Sequence, residues 1–166
     1  ECFGAILEAF RLAVRYMTPV IVLSDSYLAN SSEPWLIPDV KSLPKTPVKL
    51  RTDPSGFRPY LRDVETLARP WAIPGTPGLE HRIGGLGKQE DTGAVSYDPK
   101  TNQRMNELRA LKVARIAAEL PPVEVLGPER GELVVVGWGG TYGAITSAVE
   151  EARADGLPVS SVHLRH

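Results

Sequence analysis

The sequence predicts an α/β protein built from parts of two open parallel-sheet domains, joined by a long connector rich in proline and glycine. Two observations carry this prediction. Short apolar runs rich in β-branched residues lie next to stretches with helical periodicity at both ends of the chain. Between them, many of the 15 prolines and 15 glycines crowd into one central segment.

Residues 1–23 predict a helix followed by a strand. Apolar side chains in residues 1–17 recur at the spacing of one helix face. Pro19 ends this helix, because proline lacks the backbone N–H that would continue it. Val20–Leu23 is a continuous apolar run that is too short for a helix, which predicts a strand buried on both faces of a parallel sheet.

Residues 31–100 predict an extended, ordered connection. Proline fixes φ and removes a hydrogen-bond donor, so long helices and central strands are not expected here. Interspersed aromatic residues distinguish the segment from a disordered linker, and a connection of this length is unusual inside a small compact domain. We therefore expect the segment to lie on other structure. The aromatic residues are Trp35, Phe57, Tyr60, Trp71 and Tyr97.

Residues 99–120 predict a second helix. Asp98 is a suitable N-cap, and Pro99 suits the first helical position. Arg115 and Glu119 are one turn apart and are expected to pair. The helix stops before Pro121-Pro122.

The last part of the chain predicts a βαβ unit with parallel strands. Val123–Leu126 is expected to form a short edge strand and Leu133–Val136 a buried strand. A tight turn at Gly137–Gly140 leads into a helix over 141–155, and a further strand runs over 158–164.

These elements divide the chain into three segments. Residues 1–44 form the end of one α/β domain, 45–120 form the extended connector and its helix, and 121–166 form the first βαβ unit of another domain. The chain thus contains only the last strand of one predicted sheet and only the first βαβ unit of the other. We therefore expect the chain to be a piece of a longer polypeptide.

The turn Gly137–Gly143 is the strongest candidate motif, because glycines that open a helix after a strand can cradle phosphate. The dinucleotide pattern G-x-G-x-x-G is missed, since Tyr142 takes the place of the last glycine. Close packing of the helix against the strand would also require glycine at Gly137, Gly139 and Gly140, and this explanation is favoured over phosphate binding because the spacing is missed. A nucleotide-binding or regulatory module that uses Gly137–Gly143 remains the alternative function.

Other chemistry-bearing residues are few. Glu80 and His81 are adjacent and could form an acid–base pair, but a structural or interface role is favoured because no nucleophile accompanies them. Asp25 follows the first predicted strand, at the edge where α/β folds bind ligands, and could equally cap a turn. His163 and His166 match no metal-ligand spacing, so no metal site is expected.

Composition excludes several classes of partner. The net charge of −1 predicts no broad attraction to nucleic acid or to an anionic membrane. No apolar run approaches the length of about 20 residues that a membrane helix needs. Cys2 is the one cysteine, so this chain alone cannot hold an iron–sulfur cluster. A cytoplasmic location is expected.

Several stretches in order resemble one enzyme family. PVIVLSDSYLANSSEPW, from Pro19 to Trp35, is similar to the end of the pyrimidine-binding domain in alpha subunits of 2-oxoacid:ferredoxin oxidoreductases. GLEH (78–81), SYDP (96–99) and NELRALKVARIA (106–117) resemble the connector of those subunits. ELVVVGWGGTYGAI (132–145) resembles the start of their transketolase C-terminal-like domain. The resemblance covers nearly the whole chain and favours the 2-oxoglutarate branch.

The resemblance implies oxidative decarboxylation of a 2-oxoacid to an acyl-CoA, with thiamine diphosphate and Mg²⁺ as cofactors. Electrons would pass through an iron–sulfur cluster to ferredoxin, and a beta subunit would be the partner. The family's Tyr-Pro-Ile-Thr-Pro substrate motif and its arginine segment are absent, so no catalytic residue carries over. The resemblance thus implies a scaffold and subunit-interface role for this chain. Asp25, Glu80, His81, Gly137, Gly139 and Gly140 remain candidates for interface or ligand-proximal positions.

Overall fold

A computed structural model describes residues 2–166 of the chain. Its helices and strands lie mainly at the two ends of the sequence, while residues 43–98 are mostly irregular. In chain order the elements are α1 (Cys2–Tyr16), α2 (Ser26–Asn30), a 3₁₀ turn (Val40–Ser42), β1 (Leu50–Arg51), β2 (Trp71–Ala72), α3 (Pro99–Ile116), a 3₁₀ turn (Ala117–Glu119), β3 (Val125–Leu126), β4 (Leu133–Trp138), a 3₁₀ turn (Gly139–Thr141), α4 (Tyr142–Ala154) and β5 (Val159–Leu164).

The described residues divide into two units. The first unit contains the residues up to Val22 together with Asp39–Glu119, and the second contains Leu23–Pro38 together with Leu120–His166. The second unit therefore joins a short segment from early in the chain to the C-terminal sheet.

The first unit is built on α1 and α3. Leu67, Met105 and Leu108 form its hydrophobic cluster, and Tyr60 packs against it. The proline-rich segment forms the short parallel pair β1–β2 and two isolated antiparallel bridges but no long strand, as expected where prolines remove backbone donors. Asp98 caps α3 by accepting from the backbone N–H groups of Lys100 and Thr101, each at 3.2 Å, which confirms the predicted cap.

The second unit contains the predicted βαβ unit. β4 and β5 are parallel with Val135 opposite Ser161, and α4 connects them, so the prediction of parallel strands is confirmed. β3 pairs antiparallel with β5, which gives the order β3–β5–β4. Gly137 faces α4, because a Cβ built on it would meet the side chain of Ile145.

Burial of β4 differs from the prediction. Val134, Val136 and Trp138 are 53%, 49% and 68% exposed, so the strand is not buried on both faces. The physical reason is that α4 covers one face, while no element of the described residues in this unit covers the other. We call this second surface the open face. Ser160 lies on the same side of the sheet but is 4% exposed and donates to the Pro128 carbonyl oxygen, so it is not counted in this surface. The side chains of the open face are Val125, Val134, Val136, Trp138, Val162 and Leu164.

The predicted strand Val20–Leu23 does not form. This run has no strand partner among residues 2–166, and Ile21 and Leu23 are exposed. A β-branched run favours extended backbone, but a strand also needs a neighbour whose N–H and C=O groups complete its hydrogen bonds. The described residues provide no such neighbour, so the prediction was wrong for the structure of this chain.

Candidate functional site

Asp25 lies at the start of α2 and acts as its N-cap. Its Oδ1 accepts a hydrogen bond from the backbone N–H of Leu28 at 2.9 Å. Its Oδ2 accepts a second hydrogen bond from the backbone N–H of Gly140, in the turn between β4 and α4. These hydrogen bonds, from Leu28 and then Gly140, hold the pKa of the Asp25 carboxyl below its ordinary value, because they favour the charged form.

The glycines of this turn permit the contact. A Cβ built on Gly139 or on Gly140 would lie 2.8 Å or 2.7 Å from Asp25 Oδ2, so side chains at either position would displace the carboxylate. Gly139 also has a φ of +61°, in the left-handed region that favours glycine. Three of the sequence candidates, Asp25, Gly139 and Gly140, are therefore brought together in space.

This arrangement bears on the nucleotide-binding alternative. A phosphate at the N-terminal end of a helix binds through backbone N–H groups such as that of Gly140. Here the carboxylate of Asp25 takes that N–H, so an internal anion already stands where the phosphate would be held. Gly137 is used differently: a Cβ there would also lie 2.9 Å from Thr141 Oγ1, which makes it a close-packing position between strand and helix.

Glu80 and His81 do not pair with each other. The Glu80 carboxylate accepts the backbone N–H of Gly78 at 2.8 Å. His81 Nδ1 lies 2.8 Å from the carbonyl oxygen of Leu79, and its ring packs edge-on against Phe57 with centroids 5.4 Å apart. Since a carbonyl only accepts, Nδ1 carries the proton in this contact. Both side chains thus bond to nearby backbone and form no acid–base pair.

Glu119 is the centre of a polar cluster that the sequence did not indicate. Its carboxylate accepts from Arg11 Nη1 at 3.0 Å, from Arg15 Nε at 2.6 Å and from Tyr16 Oη at 2.6 Å. Burial raises the pKa of Glu119, but the hydrogen bonds from Tyr16, Arg15 and Arg11 outweigh it, and the pKa lies below its ordinary value. Burial, followed by the bond to Glu119, raises the pKa of Tyr16.

The expected pair Arg115–Glu119 is absent, because both groups have other partners. Arg115 Nη1 donates to the carbonyl oxygens of Val64 and Glu65 at 2.8 and 2.9 Å. Helical spacing places the two side chains within reach of each other, but in the folded chain Arg115 bonds to backbone carbonyls and Glu119 bonds to side chains of α1. The Glu119 cluster consequently ties the end of α3 to α1 within the first unit.

Two further cations, Lys112 on α3 and Arg62 in the irregular segment, lose much of their contact with solvent. Lys112 is 7% exposed and donates to the carbonyl oxygen of Met17 at 3.4 Å. Burial, with the positive charges of Arg62 and Arg69, lowers its pKa to about 8. Arg62 Nε is buried without a hydrogen-bond partner. A cation in a helical pattern is normally a solvated residue, so the sequence carried no signal of this burial.

His163 packs at the end of β5. Its ring meets that of Tyr142 edge-on, with centroids 5.0 Å apart, and its Nδ1 is buried without a hydrogen-bond partner. Over residues 2–166, His, Cys, Asp and Glu side chains form no group of three or more that could hold a metal ion. In the same residues no helix has the length and apolar character to cross a membrane.

Comparison with known proteins places the chain in a family. The family described as "Pyruvate flavodoxin/ferredoxin oxidoreductase, thiamine diP-bdg" matches residues 1–98. The chain belongs to this family. The resemblance inferred from the sequence is thereby confirmed. This family member is 49% identical over its whole length to "2-oxoglutarate oxidoreductase subunit KorA" of Mycobacterium tuberculosis and covers 25% of that protein.

One further relative and one solved structure are similar to this chain and are enzymes of the same class. The chain is 31% identical to subunit alpha of "2-oxoacid:ferredoxin oxidoreductase 1" of Aeropyrum pernix, with 99% of the chain and 26% of the relative covered. A solved 2-oxoglutarate:ferredoxin oxidoreductase from Magnetococcus marinus, with 2-oxoglutarate, coenzyme A and succinyl-CoA bound, matches 99% of this chain and 28% of its own. The TM-score is 0.87 at 28% identity. The chain thus spans about a quarter of the length of these relatives.

Thiamine diphosphate, which the family description names, does not fit the residues described here on their own. The resemblance implies a glutamate against the aminopyrimidine. In the cavity of about 430 Å³ in the second unit, the acids in the lining are the exposed Glu129 and Glu132. The lining of the cavity of about 330 Å³ in the first unit contains Lys88, Arg109 and uncharged residues, with no carboxylate. Neither provides a buried carboxylate for this cofactor.

Proposed function

We propose that this chain is part of the alpha subunit of a thiamine diphosphate-dependent 2-oxoglutarate:ferredoxin oxidoreductase. The complete enzyme would convert 2-oxoglutarate, CoA and two oxidised ferredoxins into succinyl-CoA, CO₂, a proton and two reduced ferredoxins. The observation that carries the proposal is the match of 99% of the chain, at a TM-score of 0.87, to such an enzyme with substrate and product bound. Identity of 49% to the KorA relative supports the choice of 2-oxoglutarate.

Within that enzyme the chain serves as scaffold and subunit interface. Residues 1–44 would close the pyrimidine-binding domain, 45–120 would be the connector, and 121–166 would open the transketolase C-terminal-like domain. The open face supports this role, since contiguous exposed apolar surface marks a site of contact with other protein. Thiamine diphosphate, Mg²⁺ and the iron–sulfur cluster would be held by other parts of a cytoplasmic complex that includes the beta subunit.

The nucleotide-binding module that uses Gly137–Gly143 is not retained as a second candidate. The Gly140 N–H that it needs donates to Asp25, and no observation favours it. Catalysis by Glu80 and His81 as an acid–base pair also lacks support, because the two side chains bond to backbone groups instead.

The activity is tested on the complete polypeptide that contains this chain, co-expressed with its beta subunit. We expect reduction of ferredoxin that requires both 2-oxoglutarate and CoA and releases CO₂. Absence of 2-oxoacid-dependent reduction in a complex that carries thiamine diphosphate and its cluster would refute the proposed reaction.

Substitutions on the open face test the scaffold role. We expect the double substitution Val134→Ser and Val136→Ser to lower the yield of assembled complex and leave turnover per assembled complex unchanged. Val113→Ser is the matched control, because Val113 is an exposed valine on α3 outside the open face. Normal assembly with lost turnover in the double variant would contradict the scaffold role.

A further inference from the structure

The first unit contains a polar cavity of about 330 Å³ beside α3. A glycine-rich loop, Gly84–Lys88, forms one side of it, and Asn102 and Arg109 of α3 form the other, with Tyr60 also in the lining. The volume lies at the lower end of the range of small-molecule sites, which is about 300–1,000 Å³.

The lining of this cavity contains two cations, Lys88 and Arg109, and no carboxylate. Lys88 is 3% exposed, and its ammonium donates to the carbonyl oxygens of Gly84 and Leu86. An ammonium has three N–H donors, so one remains after these two bonds. Of the neighbouring acids, Glu90 pairs with Arg104 and Asp91 pairs with Arg58 through Oδ2, while Asp91 Oδ1 is buried without a hydrogen-bond partner.

Further positive charge lies behind this cavity. Arg62 Nη2 donates to Sδ of Met105, which itself lines the cavity, at 3.6 Å. Burial, followed by the positive charge of Arg69, lowers the pKa of Arg62, and the nearby negative charge of Glu90 offsets only part of this effect. Buried positive charge is costly unless an anion compensates it. Among residues 2–166, no salt bridge supplies one to Lys88, which is buried, or to Arg62, which is half-buried.

The loop adds backbone donors. The N–H groups of Gly85 and Gly87 donate to no protein acceptor in the described residues. Gly87 is held in place, because its carbonyl oxygen accepts from the Ser96 N–H at 2.9 Å and an added Cβ would lie 2.7 Å from the Ser96 oxygen. The N–H of Leu86, between Gly85 and Gly87, donates to the Gly84 carbonyl oxygen at 2.9 Å, so the two free donors alternate along the loop. Free backbone N–H groups in a tight loop are available to bind an anion.

We propose that this cavity binds a phosphate-bearing small molecule, with its phosphate between Arg109 and the Gly84–Lys88 loop. Arg109 is exposed and its Nη2 donates to Asn106 Oδ1, and its other N–H donors form a planar set suited to phosphate oxygens. Lys88 supplies its remaining N–H and a charge that no protein carboxylate neutralises, and Asn102 supplies a side-chain amide. A tetrahedral anion with several acceptor oxygens uses these converging donors more fully than a planar carboxylate does.

The test is hydrogen exchange, followed by mass spectrometry, on the complete polypeptide in its complex. One arm adds inorganic pyrophosphate and another adds coenzyme A, both at millimolar concentration. We expect slower exchange in peptides that cover residues 84–88. Protection by pyrophosphate identifies a free phosphate compound as sufficient, whereas protection by coenzyme A alone identifies the phosphates of that larger molecule.

Variants separate this site from other phosphate sites of the complex. Arg109→Ala is expected to weaken the protection of residues 84–88 by about tenfold in ligand concentration, the loss typical of one charge-assisted hydrogen bond. Arg109→Lys is expected to retain part of it. Arg153→Ala, at an exposed arginine of α4, is the matched control and should leave it unchanged. Absence of protection in both arms, or full protection in Arg109→Ala, overturns the proposal whether or not the enzyme oxidises 2-oxoglutarate.

Discussion

The carboxylate of Asp25 accepts a hydrogen bond from the backbone N–H of Gly140, across 115 positions of sequence. The same carboxylate caps α2 through Leu28. One side chain therefore orders the start of a short helix and the turn between β4 and α4. A helix of 5 residues has little stability of its own, so this tertiary bond is expected to matter for α2.

Asp25→Ala removes both acceptors at once. We expect the amide hydrogens of Leu28 and Gly140 to exchange roughly tenfold faster, because each loses its partner and the local structure opens more readily. Hydrogen exchange resolved to single residues checks this. Asp39→Ala is the control, since Asp39 caps only its own turn through Lys41. Equal acceleration at Gly140 in both variants would contradict the role given to Asp25.

The lowered pKa of Asp25 predicts a pH dependence. A carboxyl whose folded pKa lies below its ordinary value of 3.8 binds fewer protons in the folded state than in the unfolded state. Its contribution to stability is therefore present above the unfolded value and disappears as pH falls through the folded pKa.

Asp25→Asn is expected to be less stable than the wild type at neutral pH and to approach it in acid. Denaturant unfolding at several pH values from neutral down to about pH 2 tests this. A difference between the two proteins that stays constant over this range would show that ionisation of Asp25 contributes nothing.

Gly137 in β4 and Gly143 in α4, on either side of the turn Gly139–Thr141, are expected to respond oppositely to alanine. Gly137→Ala places a methyl group against Ile145 and Thr141, so we expect a loss of about 1–3 kcal/mol in unfolding free energy. Gly143 lies in α4 with no neighbour within 4 Å of an added Cβ. Gly143→Ala is therefore expected to stabilise by about 0.5–1 kcal/mol. Denaturant unfolding measures both, and equal effects would refute the close-packing account of Gly137.

Glu119 is expected to contribute more to stability than other surface glutamates. Its side chain is 24% exposed and accepts from Arg11, Arg15 and Tyr16, so Glu119→Ala should cost about 1.5–3 kcal/mol. Glu107 is 54% exposed and pairs with Arg104 at 3.9 Å, so Glu107→Ala should cost less than about 1 kcal/mol. Thermal unfolding compares the two variants, and a similar small cost for both would show that the cluster is only a surface contact.

Lys112 is expected to destabilise the fold near neutral pH. Its pKa falls from 10.5 to about 8, so between these values the folded state binds fewer protons than the unfolded state. Stability should therefore rise with pH across this window, as the cost of the buried charge disappears. Lys112 therefore lowers the stability of the folded protein only at pH values at which its ammonium is charged in the folded state.

Lys112→Met is expected to raise the unfolding free energy by about 1–3 kcal/mol at neutral pH, and this gain should shrink above about pH 10. Denaturant unfolding at both pH values provides the measurement. Lys100→Met is the control, because Lys100 is exposed at the start of α3. A gain that persists unchanged at high pH would assign the effect to packing by methionine instead of loss of charge.

Local patterns were sufficient for α1, α3 and the parallel βαβ unit, whereas the short helix α2 was not predicted. Asp98 and Pro99 predict the start of α3 because capping depends on residues within one turn. Apolar periodicity and the glycine turn predict β4, α4 and β5 for the same reason: their signals lie inside the elements or next to them. The resemblance of ordered stretches further predicted the enzyme family, which the match over residues 1–98 confirmed.

The tertiary structure decided what depends on distant neighbours. Val20–Leu23 carried the composition of a buried strand, but strand pairing requires a partner that residues 2–166 do not provide. Glu119 bonded to Arg11 and Arg15 instead of Arg115, because residues far apart in sequence met in space. The Asp25–Gly140 bond and the burial of Lys88 and Lys112 arose in the same way. Hydrogen-bond partners and local dielectric are properties of the folded neighbourhood, so a single sequence specifies them only through the complete fold.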